Sequence, residues 1–192
     1  GEIVKGAVSA AEQGGVEVAL AGPTDTLEME LAKYNISHLP VRCVAASEVI
    51  TEDEHPALAI RRKPDASVAV VARMVKIGDA DAMVSAGSTG AMATSAVLFI
   101  GTIEGIDRPA VGGPMTGFAP NTILMDCGAN VDCKPYQLLS FAVMGCVYAE
   151  RLLNIANPAV GLLSSGSEEG KGNELVRETF PILQKSGLNF IG

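Results

Sequence analysis

Hydrophobic positions recur along the chain in two rhythms, one of helical period and one of short continuous runs. Ile3, Val4, Ala7, Val8 and Ala11 share one helical face, and Gly14-Gly15 stops the pattern. Glu17 to Ala21 then forms a short apolar run ending in Gly22-Pro23, which reads as a strand and its turn. Asp25 stands where it can cap a helix carrying Leu27, Leu31 and Tyr34, and Val41 to Ala45 reads as the next strand. A helical turn over Pro56 to Ile60 leads into the basic cluster Arg61-Arg62-Lys63. Ser67 opens a helix with Val68, Val71, Ala72 and Val75 on one face, ended by Gly78.

From Asp81 onward the pattern predicts three strand–loop–helix units. The first is Ala82 to Val84, the loop Ser85 to Gly90, and a helix to about Ile100. The second is Ile123 to Met125, the loop Asp126 to Asp132, and a helix from Pro135 to about Leu153. The third is Val160 to Leu163, the loop Ser164 to Gly172, and a helix to about Lys185. Alternation of this kind predicts an α/β fold with a doubly wound, mostly parallel sheet. The three loops follow the carboxyl ends of their strands, the edge at which such sheets bind ligands.

Composition narrows the class. A chain of 192 residues, 48% of them hydrophobic, suits a single α/β domain with a buried core and excludes disorder. The 21 glycines follow no three-residue period, so collagen is excluded. With 22 acidic against 14 basic side chains, the net charge of -8 argues against a nucleic-acid-binding surface. The longest weakly polar stretch, Gly90 to Gly101, is too short to span a membrane. Cys43, Cys127, Cys133 and Cys146 form no C-x-x-C pair and have no histidine at zinc spacing, so reduced, buried thiols and no metal are expected. The chain starts at Gly1 inside a helical pattern and ends on a strand-like Leu188 to Gly192, and it is read as a segment trimmed at both ends.

The loops carry the chemistry. In Ser85-Ala86-Gly87-Ser88-Thr89-Gly90, two glycines flank two hydroxyls at a helix start. Free N–H groups there can cradle an anion, and an ordinary capped turn accounts for the residues equally well. Asp126 at a strand end can orient a base, bind a metal or tie down a loop that also holds Asn130, Asp132 and Lys134. Cys127 beside it has no assignable base, and burial as a small hydrophobe is the favoured reading. Gly166 to Gly172 approaches a phosphate-binding P-loop but is one residue short, and Gly172 stands where Ser or Thr should follow Lys171. Lys171 can still meet a single oxyanion as a point charge, with Asn173 as a neutral donor.

Taken together, Ser85 to Ala91, Gly105-Ile106-Asp107-Arg108-Pro109-Ala110, Asp126 to Pro135 and Gly166 to Glu174 resemble the bacterial phosphate acyltransferases of phospholipid synthesis, as do Ala46 to Ile50, Pro56 to Ala59 and Arg61 to Lys63. The resemblance covers essentially the whole chain. Two positions depart from it: Ser88 stands where the family usually has Asn, and Cys127 where it has an aliphatic residue. It implies a fold similar to isocitrate and isopropylmalate dehydrogenases and to phosphotransacetylases, with a cleft between two lobes, and a further strand with a D-x-M-G-G-D motif ahead of Gly1. It also implies transfer of a long-chain fatty acyl group from acyl carrier protein to inorganic phosphate, in a cytoplasmic homodimer peripherally associated with the membrane, with no cofactor.

On that resemblance, Ser88, Asp126, Asn130, Asp132 and Lys171 are the expected catalytic residues. Ser85, Gly87, Thr89, Gly90, Lys134 and Asn173 are the expected substrate-binding residues. Because carrier protein is acidic and the chain is too, docking is expected at Arg61, Arg62 and Lys63; a solvated helix end explains that cluster equally well. The alternatives are a coenzyme A-dependent phosphotransacetylase-like enzyme, a dehydrogenase of the same fold, and a non-catalytic module that binds carrier protein or lipid. The dehydrogenase lacks its G-x-G-x-x-G here.

Overall fold

In a computed structural model, which describes residues 1–115, 117, 119–166 and 171–192, the first helical repeat becomes α1 (Glu2–Gln13), with Val4, Val8 and Ala11 buried. Gly14 and Gly15, both at positive φ, end it. The chain divides into two compact units, Gly1–Gly101 and Thr102–Gly192.

In the first unit, β1 (Val18–Gly22) pairs in parallel with β2 (Val41–Ala45), Val18 opposite Val41 and Gly22 opposite Ala45. Side chains alternate across a strand, and the core shows it. Val18 and Leu20 pack with Val4 and Val8 of α1 and with Leu27 and Leu31 of α2 (Thr24–Leu31). Ala19 and Ala21 face the other way, onto Ala46 and onto Val70 and Met74 of α4 (Ser67–Ile77). Helices therefore cover both faces of the parallel pair, as parallel strands require. A second side of α4 packs Val68 and Ala69 against Ala91 and Met92 of α5 (Thr89–Ser95) and against Phe99 in the π-helical turn Ala96–Ile100 that continues it. Between α2 and α4 lies the short α3 (Pro56–Arg62). Gly78, left-handed at φ 78°, stops α4 where the sequence places the stop. Asp25 is not the cap expected of it: Pro23 occupies that position, and Asp25 sits in the first turn of α2, where its charge meets the positive end of the helix dipole.

The second unit pairs β3 (Gly112–Met115) with β4 (Ala119–Met125) in antiparallel fashion, with a register shift between Pro114 and Met115. The long helix α6 (Pro135–Leu152) lies against β4 and against α7 (Glu174–Gln184). Phe141 of α6 and Leu183 of α7 are almost wholly buried, at 1% and 2% exposure. Thr179, also buried, returns its hydroxyl to the Leu175 carbonyl at 2.6 Å. Edge-to-face stacking of Phe180 on Phe190, with centroids 5.1 Å apart, fastens the chain end to α7. No helix among the described residues is long and apolar enough to cross a membrane.

The structure is α/β, and its helices fall where the periodicity puts them. The strands differ. Ala82 to Val84 forms none: Val84 is 93% exposed and no described strand offers its backbone a partner. Ile123 to Met125 lies within a longer strand whose neighbour is antiparallel. That neighbour carries Gly112, Gly113 and Pro114, residues of poor strand propensity that hide it from sequence reading. Glycine is required at 112, since a Cβ there would lie 2.4 Å from the Leu124 carbonyl oxygen. Val160 makes a single parallel bridge with Phe190, extended by the Leu162 N–H to the Gly192 carbonyl at 2.8 Å. The described strands thus form two two-stranded sheets, one parallel and one antiparallel.

Phe141→Ala should cost about 3–5 kcal/mol, the usual price of an emptied aromatic core site, whereas Val84→Ser, at an exposed position, should stay within about 0.5 kcal/mol. Urea unfolding of both variants checks this; equal midpoints would show that α6 is not anchored through Phe141.

Candidate functional site

In the first unit the Ser85–Gly90 loop is a string of short polar contacts. The Ser85 hydroxyl accepts from Gly87 N–H at 3.1 Å. Ser88 is the N-cap of α5, its hydroxyl accepting from Ala91 N–H at 3.3 Å. Acting as an acceptor leaves the Ser88 hydroxyl proton available to a ligand. Thr89 and Gly87 are exposed. Gly90 has a packing reason to be glycine, because a Cβ there would approach Pro56 Cγ of α3 to 3.0 Å.

The basic cluster closes α3. Arg61 and Arg62 are exposed. Lys63 is committed inward, its Nζ meeting Glu54 Oε2 at 2.6 Å and the Val49 carbonyl at 2.8 Å. The Lys63 ammonium, together with the Thr51 N–H, holds the Glu54 carboxyl below its ordinary range. Arg73 lies over the Phe99 ring, 5.5 Å from its centroid.

In the second unit, Asp126 follows β4 and grips two segments at once. Its Oδ1 accepts from Val111 N–H at 2.7 Å, and its Oδ2 accepts from Asn130 N–H at 2.8 Å and from Asn130 Nδ2 at 3.3 Å. Asn130 Nδ2 also donates to the Pro109 carbonyl at 2.9 Å. The Cys127 N–H donates to the Val111 carbonyl at 2.6 Å, and Arg108 Nη1 reaches the Asp132 carbonyl at 3.5 Å. The Asp107 carboxylate near Tyr136 pushes that phenol up. Two stretches that sequence reading could only set side by side, 105–111 and 126–136, are thereby sewn together. Of the roles open to Asp126, tying down the loop is the one its contacts carry. Lys134 precedes α6, its N–H donating to Gln137 Oε1 at 2.8 Å, and its ammonium is exposed.

The four cysteines are free. Burial is wrong for two of them: Cys43 and Cys127 are exposed, the first on a strand paired on one side only, the second on a loop where its N–H meets the Val111 carbonyl and its thiol the Leu124 carbonyl at 3.7 Å. Cys133 and Cys146 are partly covered, and burial raises both thiols, assisted at Cys133 by Asp126 and Asp132.

In the third loop, Ser167, Glu168, Glu169 and Gly170 lie outside the described residues. Gly172 adopts φ +95°, and a Cβ there would lie 2.6 Å from Ser164 Oγ and 2.9 Å from Val176 Cγ1, so only glycine fits. Asn173 caps α7, its Oδ1 accepting from Val176 N–H at 3.0 Å, which leaves its amide hydrogens free. Lys171 is exposed. No hydrogen bond among the described residues joins Lys171 or Asn173 to the Asp126 loop. What sequence reading missed is the receiving side of the clamp, the backbone of Pro109 and Val111 and the Asp107–Tyr136 pair. The Gly105–Ala110 motif was the available signal.

These features define an α/β protein whose polar, glycine-bearing loops stand at strand ends and helix starts. The chain belongs to the fatty acid synthesis protein family, whose model matches residues 1–192. It is similar to the phosphate acyltransferase of Pelotomaculum thermopropionicum, at 50% identity over 191 residues, covering 100% of this chain and 56% of that protein. The phosphate acyltransferase of Desulfitobacterium hafniense is also 50% identical, with 57% of its length covered. That of Heliobacterium modesticaldum is 49% identical over 195 residues, with 58% covered. The chain therefore spans rather more than half the length of these relatives.

Asp126→Asn presents an N–H₂ group to a donor and should cost about 1–3 kcal/mol. Amide exchange at Val111 and Asn130 should quicken together. Unchanged protection at both would dissolve the clamp.

Proposed function

We propose that this chain is the greater part of an enzyme that transfers a long-chain fatty acyl group from acyl carrier protein to inorganic phosphate, giving acyl phosphate for phospholipid synthesis. The observation that carries the reading is the near-50% identity to phosphate acyltransferases across the whole of this chain. The complete enzyme, on this reading, has the doubly wound, dehydrogenase-like fold as a single α/β domain, works as a homodimer in the cytoplasm, and associates peripherally with the membrane.

The chemistry is one acyl substitution. A phosphate oxygen attacks the thioester carbonyl, and a tetrahedral oxyanion forms. The C–S bond then breaks, the thiolate of the carrier takes up a proton, and acyl phosphate is released. Such a step needs phosphate held against its own charge and donors aimed at the oxyanion. Ser88 donates its free hydroxyl proton, and Ser85, Gly87, Thr89 and Gly90 form the surrounding anion-binding turn. Lys171 supplies a compact positive charge, while Asn173 and Lys134 orient phosphate oxygens. Asp126 and Asn130 keep the loop in shape, and Asp132 assists proton transfer. Arg61 and Arg62 attract the acidic carrier protein, with Lys63 holding the end of their helix in place through Glu54.

Acyl phosphate trapped with hydroxylamine should appear with acyl carrier protein as donor and phosphate as acceptor, and Lys171→Ala should lower the rate at least about 10-fold through loss of a charged contact. Preference for acetyl coenzyme A would favour the phosphotransacetylase-like enzyme, and no phosphate-dependent loss of thioester in the full-length protein would leave the binding module. Arg61→Glu with Arg62→Glu should raise KM for the carrier at low salt with kcat little changed. Unaltered KM at low ionic strength would remove the docking role.

A further inference from the structure

We propose that Arg108 is a further substrate ligand, a guanidinium that binds the phosphoryl oxygens of phosphate or of the acyl phosphate product; this rests on the acyl-transfer reading above. The Gly105–Ala110 motif has no part in that mechanism, yet the structure builds it into the Asp126 loop. Residue 108 directly precedes two anchors, the Pro109 carbonyl on Asn130 and the Val111 N–H on Asp126. Its guanidinium reaches the Asp132 carbonyl at 3.5 Å, which uses one of five N–H groups and places the charge at the loop that carries Asp132 and Lys134.

Among the described residues no carboxylate lies within ion-pair distance of Arg108, although Asp107, Asp126 and Asp132 are all near in sequence or space. The reason is visible for Asp126, whose oxygens take two backbone N–H groups and an amide. A loop that turns this acid onto neutral donors leaves an exposed arginine without that partner and able to take an anion. A planar fork with free N–H groups matches two phosphoryl oxygens at once, which an ammonium cannot do.

The test is made on the full-length enzyme carrying Arg108→Ala or Arg108→Lys. Inorganic phosphate and a non-hydrolysable acyl phosphonate are titrated separately by calorimetry, and KM for phosphate and for the acyl donor is measured alongside. Arg108→Ala should weaken phosphate or phosphonate about 10- to 100-fold with donor KM unchanged, as expected for loss of a charged hydrogen-bond pair. Arg108→Lys should recover part of the loss. Weakening of both anions assigns Arg108 to the shared phosphoryl group; weakening of the phosphonate alone assigns it to product. Wild-type affinity for both in Arg108→Ala overturns the proposal while leaving acyl transfer standing, as does a change confined to donor KM. A wild-type enzyme that binds neither anion removes both readings.

Discussion

The carboxylate of Asp126 is the constraint on which the second unit depends. A carboxylate has two oxygens and about four acceptor sites, and here they take one N–H from each of two chain segments and an amide besides. Each bond to a charged acceptor is stronger than a neutral one, and each leaves a donor stranded if the acceptor goes. The consequence is a loop shaped by its own side chain rather than by regular structure. Asn130 extends the grip to Pro109, so residues 21 positions apart are tied together. An acid so occupied is ill suited to abstracting a proton, and its contacts hold the loop in shape.

Glycine works in the same direction at a different scale. At Gly112 a side chain would strike the opposite strand, and at Gly172 it would strike both Ser164 and α7. At Gly90 a Cβ would meet Pro56 Cγ at 3.0 Å, a contact that the proline would have to relieve. These are separate steric reasons, each at a place where backbone approaches backbone or helix, and none needs a ligand to explain it. Gly87 is different: a Cβ there would make only an ordinary 3.4 Å contact with Ser85 Oγ. Its absence of side chain is the one in that turn that packing leaves unexplained.

Helices were legible in the sequence because each carries its own evidence. The period of Val4, Val8 and Ala11, the stop at Gly78, and Pro135 at the start of α6 are all local signals. Strands were legible only where their partners were. Val41 to Ala45 is apolar and pairs as read, whereas Gly112 to Met115 is a strand because of Leu124 and Met125, far along the chain. The candidate site divides likewise. Ser88 as a cap and Asp126 at a strand end follow from sequence position, but the choice of Pro109 and Val111 as receivers is a fact of folding, with backbone groups that no side-chain pattern encodes.

Net charge of -8 sets the last condition on how such a surface can meet anions. An acidic protein repels phosphate and acidic partners alike, and in physiological salt that field is largely screened beyond about 8 Å. Attraction must then be local, and it is local only where cations escape neutralisation. Lys63 does not: Glu54 holds it at 2.6 Å. Arg42 does not: Asp79 holds it at 2.9 Å. Arg61, Arg62 and Arg108 make no ion pair among the described residues, and the Asp126 carboxylate of the neighbouring loop is turned to backbone N–H groups. Hydrogen bonds to neutral donors leave a carboxylate its charge but fill its acceptor sites, so the clamp takes a direct partner from Arg108 without removing the negative charge nearby. In this fold, the bonds that shape the loop also keep its carboxylate from closing on the arginine.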